Sequence, residues 1–413
     1  MKRLIGPFSQ ILPLSGMNEK GSLQDNDLFI IPAGGVIVEQ GKIVATGNFE
    51  QLESENPGIE IEKITSEQVL LPGFIDCHTH ICFAGSRAKD YSMRIQGKSY
   101  LDIAKAGGGI WDSVVQTRGA DETLLTTLLQ ERAKRHLLQG VTTIEVKSGY
   151  GLDVKNELKQ MRAIKKAAQF SDGQTSADLI PTCLAAHLLP KDFGGDAKAY
   201  LDYILKELLP VVKAENLAGR VDIFIEESAY TSEDALYYLN AAKAMGFELT
   251  VHADQFTTSG LAVAIATGAV SADHLEASSA AEIALLKNSD TVAVVLPGAS
   301  LGLGMHYAPA RKMLDAGACV AIASDWNPGS APMGNLLLQA AVMSASEKLS
   351  TAEVFAGLTY RAARALNLGD RGTISHGQLA DMQAYPCDDY REILYQQGML
   401  QPIGVWKNGR NIK

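Results

Sequence analysis

The segment Asp76-Cys77-His78-Thr79-His80 carries two imidazoles with one residue between them. On an extended strand side chains alternate between faces, so His78 and His80 point the same way. Two imidazoles so placed suit a divalent metal ion. Alone, the pair reads equally well as two polar residues at a strand end. Three further groups end short apolar runs elsewhere: His252 in Val251-His252-Ala253-Asp254, His274 in Ser271-Ala272-Asp273-His274, and Asp325 in Ala323-Ser324-Asp325. Four runs that each deliver imidazole or carboxylate at their C-terminal ends favour one shared ion. Three histidines and one carboxylate fill about four positions, and a water completes the site. A divalent cation lowers the pKa of its water from about 15.7 toward about 7, giving a nucleophile for a carbonyl or amidine carbon at neutral pH. In this reading His274 carries protons or stabilises an oxyanion, and Asp325 both touches the ion and accepts the water's proton.

These residues need a scaffold that brings distant strand ends to one mouth. From residue 71 onward, short apolar runs alternate with amphipathic helical stretches, the pattern of parallel β/α units. Eight strand candidates span 73–80, 141–148, 178–187, 220–227, 248–254, 269–275, 291–297 and 319–325. Asp121 caps a predicted helix with Leu124, Leu125, Leu128 and Leu129 on one broad face, ended by Gly140. Asp153 caps the next, and Thr231 with Asp234 forms a capping box before a helix closed by Gly246. Eight units predict a (β/α)8 TIM barrel. An open doubly wound sheet is the alternative, but it would gather the reactive residues near one switch point.

Residues 1–70 read as β-rich, with Val36–Val38 and Lys42–Ala45 forming a hairpin about Gln40-Gly41 and Gly47 closing the second strand. After about residue 370, Gly372–Ile374, Ala380–Tyr385 and Ile403–Val405 read as short strands, and Asn408-Gly409 as a hairpin turn. The expected organisation is a composite, β-sandwich-like domain of residues 1–70 plus 368–413, with the barrel, 71–367, as an insert.

The chain of 413 residues has net charge −10, which excludes a broad nucleic-acid surface but not a local cationic pocket. Five cysteines without a CxxC pair argue against a disulfide framework and for a reducing compartment. No stretch offers the 20 or so apolar residues needed to span a bilayer, and glycines and prolines interrupt any signal-like N-terminal core. A cytoplasmic protein without membrane or nucleic-acid partners is expected, with a homodimer as the base-rate oligomer.

The hairpin, the run Leu71–His80 and the tail Gly372-Thr373-Ile374, Gly377, Ala380-Asp381 together resemble the amidohydrolase superfamily over nearly the whole chain. Within it the imidazolonepropionase family matches best. That likeness is carried by Phe83–Ala88, Gly107–Ile110, Glu145–Leu152, Ser271–Glu276 and Asp325–Ser330. The resemblance implies hydrolysis of 4-imidazolone-5-propanoate to N-formimidoyl-L-glutamate, in histidine degradation, with zinc or iron bound by His78, His80, His252 and Asp325. It also implies substrate contacts from Arg87, Tyr150, His187, Gln255, Asn327, Gly329 and Ser330. Arg87 offers a charged fork to the propanoate, where an arbitrary arginine would be a surface ion pair; Arg118 is a second candidate. Tyr150 would donate from the mouth or simply pack. His187 would bond the ring carbonyl as a neutral imidazole or be a satisfied core histidine. Binuclear relatives carry a carbamylated lysine at the end of strand four; here the run Ile225-Glu226-Glu227-Ser228 has none, so one ion is expected. Gln255 stands where deaminases of this fold use a glutamate, and it cannot titrate. Its expected role is hydrogen bonding, leaving proton transfer to His274 and Asp325. His136, His306 and His376 read as structural, and Gly107-Gly108-Gly109 as a loop lining the mouth.

Two other functions fit parts of this pattern. A deaminase of another N-heterocycle would use the same ion and water, but Gln255 and Arg87 disfavour it. A non-enzymatic protein on a retired hydrolase barrel should have lost ligands, and every candidate is present.

Overall fold

The computed structural model describes residues 2–98, 100–170 and 176–413. Eight parallel strands follow one another in chain order around a barrel. They are β1 (Phe74–Asp76), β2 (Val141–Lys147), β3 (Asp178–Ala186), β4 (Arg220–Ile223), β5 (Glu248–Ala253), β6 (Ser271–His274), β7 (Val292–Val295) and β8 (Val320–Ile322). Each lies within its predicted span, and all eight stop short of it at the C-terminal end.

The ring closes just past the ends of β1 and β8. Thr79 forms a parallel bridge with Trp326, the Asp325 amide donates to the His78 carbonyl at 3.0 Å, and the His80 amide donates to the Trp326 carbonyl at 2.9 Å. The His-Thr-His segment therefore lies beyond the strand that predicted its alternation. The two imidazoles still share a face, because they flank the bridged residue.

On β2 the buried residues Ile144 and Val146 pack outward into the main core with Leu125, Leu129 and Ile164 of the surrounding helices. Glu145 and Lys147, on the opposite face, are buried charges. The same parity sets Asp222 between Val221 and Ile223 on β4, and Thr250 and His252 between Leu249, Val251 and Ala253 on β5. The barrel thus has an apolar outside and, toward its mouth, a polar inside.

Helix ends follow their capping residues. Asp121 accepts from the Leu124 amide at 2.7 Å ahead of Glu122–Leu138, Asp153 accepts from Asn156 at 2.8 Å, and Thr231 and Asp234 form the reciprocal box ahead of Ser232–Ala244. Leu125 and Leu129 are buried as expected. Leu124 is exposed: it precedes Leu125 by about 100° on the helical wheel, too far round to reach the same core.

Both chain ends join in one mixed eight-stranded sheet. Its order is Arg410–Asn411, Gly404–Lys407, Met382–Tyr385, Val69–Pro72, Arg3–Ile11, Ile31–Glu39 and Lys42–Asn48, with Glu60–Lys63 alongside Arg3–Ile11. Gln40 and Gly41, at φ 50° and 80°, make the predicted hairpin turn, as do Asn408 and Gly409 at 50° and 73°. Residues 372–374 are not a strand; the Ile374 amide instead bonds the Pro13 carbonyl as the chain crosses between layers. Gly47 lies within its strand, paired with Gly35, rather than closing it. Phe8, Ile11, Val38, Leu70, Met382 and Trp406 fill this sheet's core. Among the described residues no helix is long and apolar enough to cross a membrane, and all five cysteines are unpaired.

Candidate active site

Five sequence-predicted groups converge at the barrel mouth, all buried: His78, His80, His252, His274 and Asp325. His80 Nε2 lies 3.2 Å from His78 Nε2, 3.2 Å from His252 Nε2 and 3.4 Å from Asp325 Oδ1, and His78 Nε2 is 3.6 Å from Asp325 Oδ1. Donors held about 2.05 Å from a tetrahedral ion are about 3.3 Å from one another, so these separations fit one coordination sphere. Among the described residues two overlapping triads could hold an ion, His78–His80–Asp325 and His78–His252–His274.

The tautomers agree. His78 Nδ1 lies 2.6 Å from Asp273 Oδ2, and His252 Nδ1 lies 2.9 Å from Asp222 Oδ2. A carboxylate at Nδ1 keeps the proton there and leaves the Nε2 lone pair facing the centre. Burial holds the pKa of His78 and His80 well below the usual imidazole value, and that of His252 at about 3, so all three imidazoles are neutral. His80 Nδ1 is buried without a partner. Lone pairs facing one another 3.2 Å apart in a buried site repel, and a cation among them removes the conflict.

His274 and Asp325 sit on strained backbone, with φ of 87° and 50°. Non-glycine residues adopt such angles uncommonly, in turns and where surrounding structure imposes them. Here the kinks turn the chain out of β6 and β8 and aim both side chains across the mouth. Burial raises the Asp325 carboxyl to about 6. Burial opposes protonation of His274, but the nearby Glu276, with Oε2 at 3.5 Å from Nδ1, and then Asp325 and Asp273 outweigh it and raise its pKa.

The walls come from loops after other strands. Tyr150 is buried after β2, its ring 6.2 Å from that of His80 and 5.7 Å from that of His187. Burial raises its pKa, so the phenol remains a donor. Glu157 accepts from the Gly151 and Leu152 amides at 2.8 Å each, and Gln160 accepts from the Tyr150 amide at 3.1 Å, fixing this loop. His187 stacks on His80 at 5.6 Å, and its Nδ1 lies 3.0 Å from the Gly149 carbonyl. That carbonyl requires the proton on Nδ1, and burial lowers the ring's pKa. A neutral His187 so tautomerised has an acceptor, not a donor, left at Nε2.

Arg87 reaches the mouth beside the loop after β8. Its Nη1 lies so close to Gly329 that a Cβ there would come within 2.4 Å. Asn327 Oδ1 accepts from the Gly329 and Ser330 amides at 2.7 and 2.8 Å, while its Nδ2 donates to the Asp325 carbonyl at 2.7 Å. The Asn327 amide thus shapes the loop from within, and Ser330 Oγ lies 3.3 Å from Asp325 Oδ2. Gln255 is buried after β5 on a loop tied to β4, where Glu226 accepts from the Phe256 and Thr257 amides at 2.9 and 3.2 Å. Arg118 is taken up elsewhere, bound to the Gly151 carbonyl at 2.6 Å and to Asp153 and Asp192. The Gly107–Gly109 loop cradles a protein carboxylate: the Gly109 amide donates to Asp90 Oδ2 at 2.9 Å, and a Cβ at Gly108 would strike Asp90 Oδ1 at 2.3 Å. His136 is structural, buried 3.0 Å from Asp76. His306 and His376 are exposed.

Sequence reading missed the layer beneath the mouth: Glu145, Lys147, Asp222 and Asp273. The signal was present, since each is a charged residue that directly follows an apolar one inside a buried strand.

The comparisons agree with this architecture. The model of the Amidohydrolase family matches residues 69–412. The imidazolonepropionase of Myxococcus xanthus is 38% identical over 98% of this chain and 96% of its own length. That of Bdellovibrio bacteriovorus is 37% identical over 99% and 96%. Among solved structures, atrazine chlorohydrolase from Arthrobacter aurescens complexed with zinc superposes with a TM-score of 0.69, 16% identity and 99% and 94% coverage. An adenosine deaminase from Xanthomonas campestris with bound zinc gives 0.68, 17%, 99% and 92%. The structural likenesses establish the fold, and the sequence relatives carry the assignment further: this chain belongs to the amidohydrolase family, among its imidazolonepropionases.

Proposed function

We propose that this protein hydrolyses 4-imidazolone-5-propanoate to N-formimidoyl-L-glutamate, a step of histidine degradation, at a single zinc or iron ion. The observation that carries the reading is the convergence of three imidazole nitrogens and one carboxylate oxygen, with His80 3.2–3.4 Å from the other three and His78 3.6 Å from Asp325, near a largely buried arginine. His78, His80, His252 and Asp325 would hold the ion, and when bound it supplies Lewis acidity that makes water nucleophilic at neutral pH. Asp325 takes the proton of the attacking water. The ring C–N bond beside the carbonyl breaks, the carbonyl carbon becomes the new carboxylate, and the departing ring nitrogen receives a proton from His274. His187 Nε2 accepts a ring N–H, Tyr150 donates, and Arg87 holds the propanoate. Gln255 contributes hydrogen bonds only. Residues 71–367 act as the catalytic barrel, and residues 1–70 with 368–413 as its companion domain. Freshly prepared imidazolonepropionate, assayed with metal content measured on the same sample, tests the reading. Loss of the imidazolone absorbance without ammonia release is expected. Ammonia release from an N-heterocyclic base, with no imidazolone turnover, would replace it with deamination.

A further inference from the structure

Lys147 is fully buried inside the barrel, directly beneath the mouth. Its Nζ lies 2.9 Å from Glu145 Oε2, 2.8 Å from Asp222 Oδ2 and 3.6 Å from Asp273 Oδ2. An ammonium has three protons and no acceptor, and three carboxylates surround this one. Two of them continue upward: Asp222 Oδ2 is the oxygen beside His252 Nδ1, and Asp273 Oδ2 is the oxygen beside His78 Nδ1. One cation thus stands under two carboxylate–imidazole pairs on strands separated by β5.

We propose that Lys147 is a positioning residue for the metal centre, locking His78 and His252 into the orientation and tautomer that aim both Nε2 atoms at one point. The inference rests on the reading of those histidines as ligands. Without the ammonium, Asp222 and Asp273 would face each other as bare buried charges. They relieve that repulsion by turning away from each other, which releases the imidazoles above. The other contacts are neutral and offset none of that charge: Asp222 Oδ1 accepts from the Ile223 and His252 amides at 2.7 and 3.2 Å, and Asp273 accepts from the Thr250 hydroxyl at 3.2 Å and from Ser271. Groups behind metal-bound histidines commonly change metal affinity by about 10- to 100-fold when removed. Glu145 touches neither histidine; it anchors the ammonium from the side and accepts from Thr182 Oγ1 at 2.6 Å.

The test is competitive titration with a chelator, using Zn2+, and the visible spectrum of the Co2+-loaded protein, for wild type, Lys147→Met and the charge-balanced double variant Glu145→Gln/Lys147→Met. The double variant removes one charge of each sign and reports if the single one does not fold. We expect the Zn2+ dissociation constant to rise about 10- to 100-fold and the Co2+ bands to shift in intensity and position. Unchanged affinity and unchanged bands in a folded variant, even one of lower Tm, overturn the proposal. Failure of the wild-type chain to bind Zn2+ or Co2+ would instead overturn the reading of the ligands.

Discussion

Asp90 grips Arg87 from one turn along the same helix, its Oδ2 2.7 Å from Nε, while the Gly109 amide holds that same oxygen at 2.9 Å. The Nε edge of the guanidinium is occupied, and Nη1 is directed at Gly329. Arg87 is therefore aimed before any ligand arrives, which reduces the ordering needed on binding. Replacing Arg87 with Ala should raise KM about 30- to 100-fold, about 2–3 kcal/mol, with metal content unchanged. Asp90→Asn should raise KM by about 10-fold or less, because the fork remains but loses its charged support. Steady-state kinetics with metal analysis checks both. Wild-type KM in Arg87→Ala would remove the carboxylate role.

Gly329 is needed for space rather than for backbone freedom. A methyl at this position meets Arg87 Nη1 at 2.4 Å and Asn327 Oδ1 at 3.3 Å. Gly329→Ala should push the guanidinium aside and raise KM several-fold while leaving Zn2+ affinity intact. Equal losses in KM and in metal binding would place its effect on Asp325 instead.

His80 Nε2 is the nitrogen nearest the other donors. His80→Ala should abolish metal retention and turnover together, read by elemental analysis after dialysis and by the imidazolone assay. Full metal occupancy in this variant would refute its role as a ligand.

Metal removal has a stability signature of its own. An ion that binds the folded chain at a thousandfold excess over its dissociation constant contributes about 4 kcal/mol. Chelator-treated protein should melt several degrees lower and recover on adding Zn2+ or Fe2+, as followed by differential scanning fluorimetry. A melting temperature indifferent to the chelator, in protein shown to lose its metal, would mean that the apo site is already satisfied by other contacts.

Gln255 makes a prediction about pH. Gln255→Glu introduces an ionisable group at a buried position. The kcat/KM profile should gain a limb absent from the wild type, and Gln255→Leu should lower kcat/KM without altering its shape. Identical profiles for wild type and Gln255→Glu would place residue 255 outside the reacting region.

The barrel was legible because buried parallel strands leave dense apolar runs between capped helices. The cluster of His78, His80, His252 and Asp325 was legible because imidazoles at strand ends have few structural uses. Other features depend on partners that only three dimensions supply. Arg87 and Arg118 are both loop arginines, and nothing local reveals that Asp153, Asp192 and the Gly151 carbonyl occupy one while the other faces the mouth. The donor or acceptor sense of His187 is fixed by a carbonyl from a different loop. Glu145, Lys147, Asp222 and Asp273 come from three non-adjacent strands, so their mutual neutralisation is invisible until the barrel turns their inner faces toward one another. The turns at His274 and Asp325 likewise reflect tertiary constraint that neither residue's own propensity would supply.

The bridge between Thr79 and Trp326 bears on how the protein is made. The first histidines leave the ribosome long before the aspartate that must join them, and the seam between them forms only when the last rung is in place. A nascent or truncated chain ending before residue 325 has the His-Thr-His motif but lacks the carboxylate beside it, so on the proposed ligand set cation capture would mark a finished barrel rather than help to start one.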